Sequence, residues 1–153
     1  MYTIGEISKM FNLPISTLRY YDKQGLFPFI KRKSGIREFG DQEIETIKVI
    51  ECLKKSGLEI KRIKIFMKWC MEGKSTYLKR KELFVEQKAR VEEEIKRMNQ
   101  VLSVLRYKCW YYQKACELGD EKKLKKMDLS ELPDDIRKDY LSSGLNSLVK
   151  NTK

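Results

Sequence analysis

Residues 16 to 23 read "STLRYYDK", placing Ser16, Thr17, Arg19, Tyr20 and Lys23 within about two helical turns. Hydroxyls and cations of this kind bond to phosphate oxygens and reach base edges in a major groove, and neither task breaks a covalent bond. At a helix N-terminus the free backbone N–H groups add to the same affinity for anions. The composition agrees. The 153 residues carry 33 Lys+Arg against 22 Asp+Glu, a formal net charge of +11. That balance favours polyanionic partners, nucleic acid ahead of anionic membrane. Histidine is absent, which removes the commonest general base and metal ligand, and no nucleophile stands at a spacing that a base could serve. No catalytic residue, metal ligand or cofactor is expected, and the chain does not read as an enzyme.

Those side chains face outward only if Leu18 and Tyr21 hold the helix from behind, so the elements around it matter. "TIGE" opens a first helix, with Thr3 as its cap and Glu6 reaching back, and Ile4, Ile7 and Phe11 on its inner face. "NLP" at 12 to 14 breaks it. The second helix then runs from about Ile15 to Lys23 and is closed by Gly25. Two short helices joined by a tight turn predict a helix-turn-helix. "FPFIKRKSGIREF" follows and predicts two strands around a turn at Lys33-Ser34-Gly35, with Lys31, Arg32 and Lys33 at the tip and Arg37 on the return. Behind a helix-turn-helix, such a hairpin is expected to lie as a wing against a phosphate backbone. A third helix is expected to be capped by Asp41, to bury Ile44, Ile47, Ile50 and Leu53, and to stop at Gly57. A fourth, from about Ile60 to Met71, is expected to bury Ile63, Phe66 or Met67, and Cys70, ending at Gly73.

From about residue 75 to 118 one long helix is predicted. Val91, Ile95, Met98, Leu102, Leu105, Cys109, Tyr112 and Cys116 alternate spacings of four and three, a heptad seam that Phe84 and Lys88 extend less well upstream. About 44 residues of helix span roughly 65 Å, more than one small domain can cover. The 35 mostly polar residues from 119 to 153 are too few for a core of their own or to cover that length, so the seam is expected to pair with a second copy in a homodimer. In the tail, "DEKKLKK" reads as a solvated charge run and residues 130 to 142 as one short helix with Pro133 in its first turn. Neither a signal peptide nor the roughly 18-residue apolar run of a membrane span is present, so the chain is expected to be cytoplasmic with no membrane partner. Its four cysteines, Cys52, Cys70, Cys109 and Cys116, are then expected as reduced thiols.

Three stretches, "YTIGEISKMFNLPISTLRYYDKQGLFP", "GIREF" and "CLKKSGLEIKRIK", together resemble the DNA-binding half of MerR-type transcription regulators, closely over residues 2 to about 73. The long helix resembles the family's dimer helix in kind rather than by motif. The resemblance implies a mainly α fold: a winged helix-turn-helix over 1–73, an antiparallel coiled-coil dimerisation helix over 75–118, and a short C-terminal tail over 119–153. It also implies binding to double-stranded promoter DNA whose spacer is too long for RNA polymerase. The dimer would distort that spacer when an effector is sensed, and so reach the polymerase through the DNA. By position, Thr17, Arg19 and Tyr20 would contact DNA from the second helix, beside Ser16 on the same outward face, with Lys33 and Arg37 acting from the wing and Lys61 from the start of the fourth helix.

The effector leaves several readings open. Metal-sensing relatives place a cysteine at the start of the dimer helix and two beyond its end; this chain has Ser75, Thr76 and Tyr77 at the one and no cysteine after Cys116 at the other. Cys109 and Cys116 lie on the seam, where a small apolar side chain is the plain explanation. Cys52 stands beside the Ile/Leu stripe of the third helix, with Lys48 and Lys55 on its side, and nearby cations favour a thiolate. "SGIREF" and "CLKKSGL" resemble the branch of the family that answers aldehydes and thiol stress, which implies a sensor thiol at Cys52. The alternatives are a reversible apolar ligand near "RYKCWYYQK" (106–114), where Trp110 and Tyr111 flank the seam, and an architectural DNA binder with no effector.

Overall fold

The computed structural model describes residues 1–145; the end of the tail, residues 146–153, lies outside them. The chain divides into two compact units, one from Met1 to Val91 and one from Glu92 onward. In the first, helix α1 (Ile4–Phe11) begins where the sequence places it. The Glu6 backbone N–H donates to Thr3 Oγ1 and the Thr3 N–H to the Glu6 carboxylate, at 3.3 and 2.7 Å. Asn12 closes α1 at φ 51°, a left-handed conformation that asparagine tolerates. Pro14 precedes α2 (Ile15–Lys23), and Gly25 takes φ 74° just after it.

The wing is a two-stranded antiparallel hairpin of β1 (Lys31–Lys33) and β2 (Ile36–Glu38), pairing Lys31 with Glu38, Arg32 with Arg37 and Lys33 with Ile36. Ser34 and Gly35 turn at φ 48° and 79°, the positive pair that lets a two-residue loop match the strands' twist. Tyr2 and Phe39 exchange backbone bonds of 2.7 and 2.9 Å and tie the start of the chain to the end of the wing. Helix α3 (Asp41–Lys55) follows at once. Its cap is Gly40, not Asp41: the Gly40 N–H donates to Glu43 at 2.9 Å, so Asp41 sits one position too late and is part of the first turn.

Helix α4 (Ile60–Glu72) leads through a short 3₁₀ turn (Lys74–Thr76) into α5 (Tyr77–Leu118). The core of this unit joins Ile7, Leu18, Tyr21, Leu26, Phe27, Phe39, Ile47, Ile50, Leu53, Leu58, Ile63 and Leu83, with Phe66, Met67 and Trp69 packed against it. Cys70 is exposed, against expectation. The inner stripe of α4 shifts to Trp69 in its last turn, and the Cys70 sulfur accepts from the Arg80 guanidinium at 3.7 Å.

In the second unit the tail does more than its composition promises. Gly119 breaks α5 at φ 69°, and α6 (Lys122–Lys125) lies inside the run read as solvated, yet it buries Leu124. Pro133 stands immediately before α7 (Asp134–Ser142) as its cap, and Leu132 and Ile136 are buried as well. Tyr140 rests 4.9 Å from Tyr107 of α5, and Arg106 bonds both oxygens of Asp139 at 3.1 Å. The remaining tail residues, 146–153, fall outside the described part.

Candidate nucleic-acid interface

Helix α2 is held from one side only. Leu18 and Tyr21 are fully buried, while Ser16, Arg19, Tyr20 and Lys23 are exposed and Thr17 is half-buried. Tyr21 is also anchored at its tip: its hydroxyl donates to Glu51 at 2.7 Å and accepts from Lys54 at 2.7 Å, joining α2 to α3. Burial, and then the Glu51 carboxylate, hold this phenol neutral well above the ordinary tyrosine range. Tyr20 turns its ring outward, 46% exposed, with its centroid 6.3 Å from that of Tyr21. This outward face therefore offers two hydroxyl side chains, a phenol and two cations, a set suited to phosphates and base edges.

The wing places Lys31, Arg32 and Lys33 in solvent. Arg37 is different. Its Nε and Nη2 both donate to Asp22 Oδ2 at 2.6 Å, and Arg32 donates to the same oxygen at 2.8 Å. Nothing in the linear pattern around Arg37 shows that α2 carries its counter-ion. Lys61 is exposed in the first turn of α4.

Cys52 is exposed on α3, beside the buried stripe of Ile50 and Leu53. Lys48, expected beside the thiol, instead pairs with Glu45 at 2.6 Å. One turn further on, the α3–α4 connection is gripped by α5. The buried Gln87 amide donates to the Ser56 carbonyl at 2.7 Å, and Arg62 pairs with Glu86 at 2.6 Å. Neither contact has a sequence signal beyond a polar residue on an apolar face.

The eight seam residues remain open on the single chain. Val91, Ile95, Met98, Leu102, Leu105 and Tyr112 are 38 to 57% exposed, and the Cys109 and Cys116 thiols are exposed too. Trp110 and Tyr111, by contrast, are half-buried, with Trp110 stacked on Tyr107 and Tyr111 tilted against it. Among the described residues the first unit also holds an apolar pocket of about 420 Å³, lined by Leu26, Phe27, Phe29, Ile65, Met67 and Met71, with Lys64 and Lys68 among its walls. No helix of the described residues is long and apolar enough to cross a membrane.

The sequence pattern of the MerR HTH family of regulatory proteins matches residues 2–69. An HTH-type transcriptional regulator of Haemophilus influenzae is 34% identical over 134 residues, 87% of this chain and 97% of that protein. The HTH-type transcriptional regulator AdhR of Bacillus subtilis is 36% identical over 91 residues, 59% of this chain and 65% of AdhR. Among solved structures, HiNmlR, a MerR family regulator lacking the sensor domain and bound to promoter DNA, superimposes with a TM-score of 0.64. It is 35% identical, and the match covers 80% of this chain and 98% of HiNmlR.

Proposed function

The chain is a DNA-binding transcriptional regulator of the MerR family, and from that premise we propose that it acts as a homodimer that changes the shape of one promoter when a chemical signal arrives. The observation that carries the dimer is the uncovered seam: eight positions in strict heptad spacing, open on the single chain along a helix of 42 residues. Residues 1–73 read DNA, 75–118 dimerise, and the tail from 119 on packs back on its own helix. Ser16, Thr17, Arg19 and Tyr20 enter the groove, while Lys33 and Lys61 neutralise phosphates. Two such halves on one rigid coil contact one face of the duplex at two places. Binding energy that is available only when both engage is then spent on bending and untwisting the DNA between them. RNA polymerase feels the result through the promoter. The chain performs no turnover, and it works where its promoter lies, in the cytoplasm.

The signal is received at Cys52. Its thiol is exposed and stands one turn before the α3–α4 connection that Gln87 grips from α5. This thiol would add across the C=O bond of an aldehyde: sulfur bonds to the carbonyl carbon, the π bond opens, and the thiol proton ends on the oxygen. The new group lies where α3 could be displaced relative to α5. The test is transcription in vitro from the protein's own promoter, wild type against Cys52→Ala, with and without formaldehyde, methylglyoxal or a quinone. Activation lost in the variant while promoter binding is intact is the expected result; equal induction of both proteins overturns the sensor role. A second reading, a reversible apolar ligand, is favoured by the pocket under Phe29 and Met71, and it predicts that equal induction. That pocket belongs to the first unit, whereas the 106–114 segment belongs to the second.

A further inference from the structure

The wing carries an apparent fault. Arg32 and Arg37 are directly opposed across the hairpin, and like charges facing one another across two strands destabilise the pair. A single atom removes the conflict. Asp22 Oδ2, on the last turn of α2, accepts from Arg37 Nε and Nη2 at 2.6 Å and from Arg32 Nη2 at 2.8 Å. The Asp22 side chain is only 11% exposed, Arg37 25% and Arg32 50%. The carboxylate is therefore shielded under the two guanidiniums, where a charge-assisted bond is stronger than at an open surface.

We propose that Asp22 is the positioning residue that locks the wing to the recognition helix, and that Arg37 serves DNA binding through Asp22 rather than by holding a phosphate. Arg37 spends two donors on Asp22 and lies mostly covered, so its charge is already matched. Arg32, half exposed, keeps a free side. The cluster of two cations and one anion presents one net positive charge, and the hairpin that bears Lys33 is fixed in angle relative to Arg19 and Tyr20. The hairpin's base is seated by Phe39 in the core, with Ile30 packed against it, and the Asp22 bonds tie the strands themselves to α2. The hairpin's backbone ties run to Tyr2, not to α2.

This rests on the reading that α2 and the wing both touch DNA, and the experiment keeps the two apart. The full chain is titrated onto a duplex carrying its own promoter, and onto an unrelated duplex, at several salt concentrations, with hydroxyl-radical footprints of each complex. Arg19→Ala and Lys33→Ala test the surface itself: Lys33→Ala loses a phosphate contact and should lower the salt slope by about 0.9, hence about 1.8 for two copies, and Arg19→Ala should narrow the affinity gap between the two duplexes. An unmoved slope in the one and an unmoved gap in the other would sink the surface assignment whatever Asp22 does. Arg37→Gln is expected to weaken promoter binding at least tenfold with the salt slope unchanged, and to erase wing protection while protection from α2 persists. Asp22→Asn should produce the same footprint, weaken promoter binding and tighten binding to the unrelated duplex, because two cations are released. Asp22→Glu, which keeps the carboxylate, should restore part of the wing protection. A slope drop in Arg37→Gln equal to that of Lys33→Ala would overturn the proposal, as would an unchanged promoter footprint in Asp22→Asn.

Discussion

Leu102→Lys is the sharpest probe of the proposed dimer. Leu102 is 44% exposed on the single chain, so its removal leaves a fold that loses little packing of its own. In a paired seam the remaining surface is covered. Full burial of a leucine stabilises by about 1.5–3 kcal/mol, so this residue contributes about 1 kcal/mol from each copy on pairing. A lysine gives that up twice and adds two ammonium groups to the middle of an apolar seam, at about 1–2 kcal/mol each. The total is about 5 kcal/mol, and a tenfold change in Kd is about 1.4 kcal/mol, so the dimer constant should weaken by about three and a half orders of magnitude. Sedimentation equilibrium across nanomolar to micromolar protein measures this directly, with circular dichroism confirming that the helices persist. Promoter affinity should fall with it, since one half-site is gripped alone. A variant that stays dimeric at nanomolar concentration, with unaltered helicity, would refute the seam as the dimer contact.

Three further outcomes follow from particular contacts. The seam is symmetric about a centre between Ser103 and Val104, which in an antiparallel coil matches Met98 to Cys109 and Leu102 to Leu105. Met98→Cys should therefore crosslink to the Cys109 of a second copy under mild oxidation, read on a non-reducing gel, whereas a parallel coil would join position 98 to itself. Tyr21→Phe should cost about 1 kcal/mol at neutral pH through the lost hydroxyl bonds. In the wild type the folded phenol stays neutral above its ordinary value of 10.0 while the unfolded one ionises, so this contribution is complete below that pH and is lost as pH rises beyond it. Urea unfolding at neutral and alkaline pH should show a decline in the wild type that the phenylalanine variant lacks. Gly57→Ala should lower the urea midpoint. Gly57 has φ +89°, and a Cβ there would stand 2.9 Å from the Gln87 amide, adding about 1 kcal/mol for the displaced bond to about 1–2 kcal/mol of backbone strain.

Local chemistry made much of this fold legible. The Thr3–Glu6 box, the Asn12 break and the Ser34-Gly35 turn each bind residues within a few positions of one another, and all stand where the sequence placed them, as does the long helix. What escaped was set by tertiary contact. Cys70 falls seven residues after Ile63 and so continues its stripe, but the last turn of α4 meets the core through Trp69. Asp22 looked like one more polar residue near a helix end until the wing folded beside it. In the tail, Leu124, Leu132 and Ile136 are too sparse for a periodic signal, and they count only because α5 offers a surface to receive them.

That surface bears on the dimer. At about 100° per residue, Leu102, Leu105, Cys109 and Tyr112 cluster on one side of α5, and Ser103, Tyr107, Trp110 and Tyr111 cluster nearly opposite. The second group is the covered one: Ser103 is 6% exposed, and Tyr107 packs on Trp110, Tyr111 and Tyr140. The chain's own tail was the one rival for the seam within the sequence, and it occupies the other side. Burial and the neighbouring Tyr140 hold the Tyr107 phenol above its ordinary range. A helix with one face filled by its own chain and the other lined by apolar residues in heptad register has a single face left to pair. Deleting the tail from Gly119 should therefore expose Tyr107 and Trp110 and lower solubility while leaving the dimer constant nearly unchanged. Dissociation on deletion would mean that the tail, rather than the seam, joins the two copies.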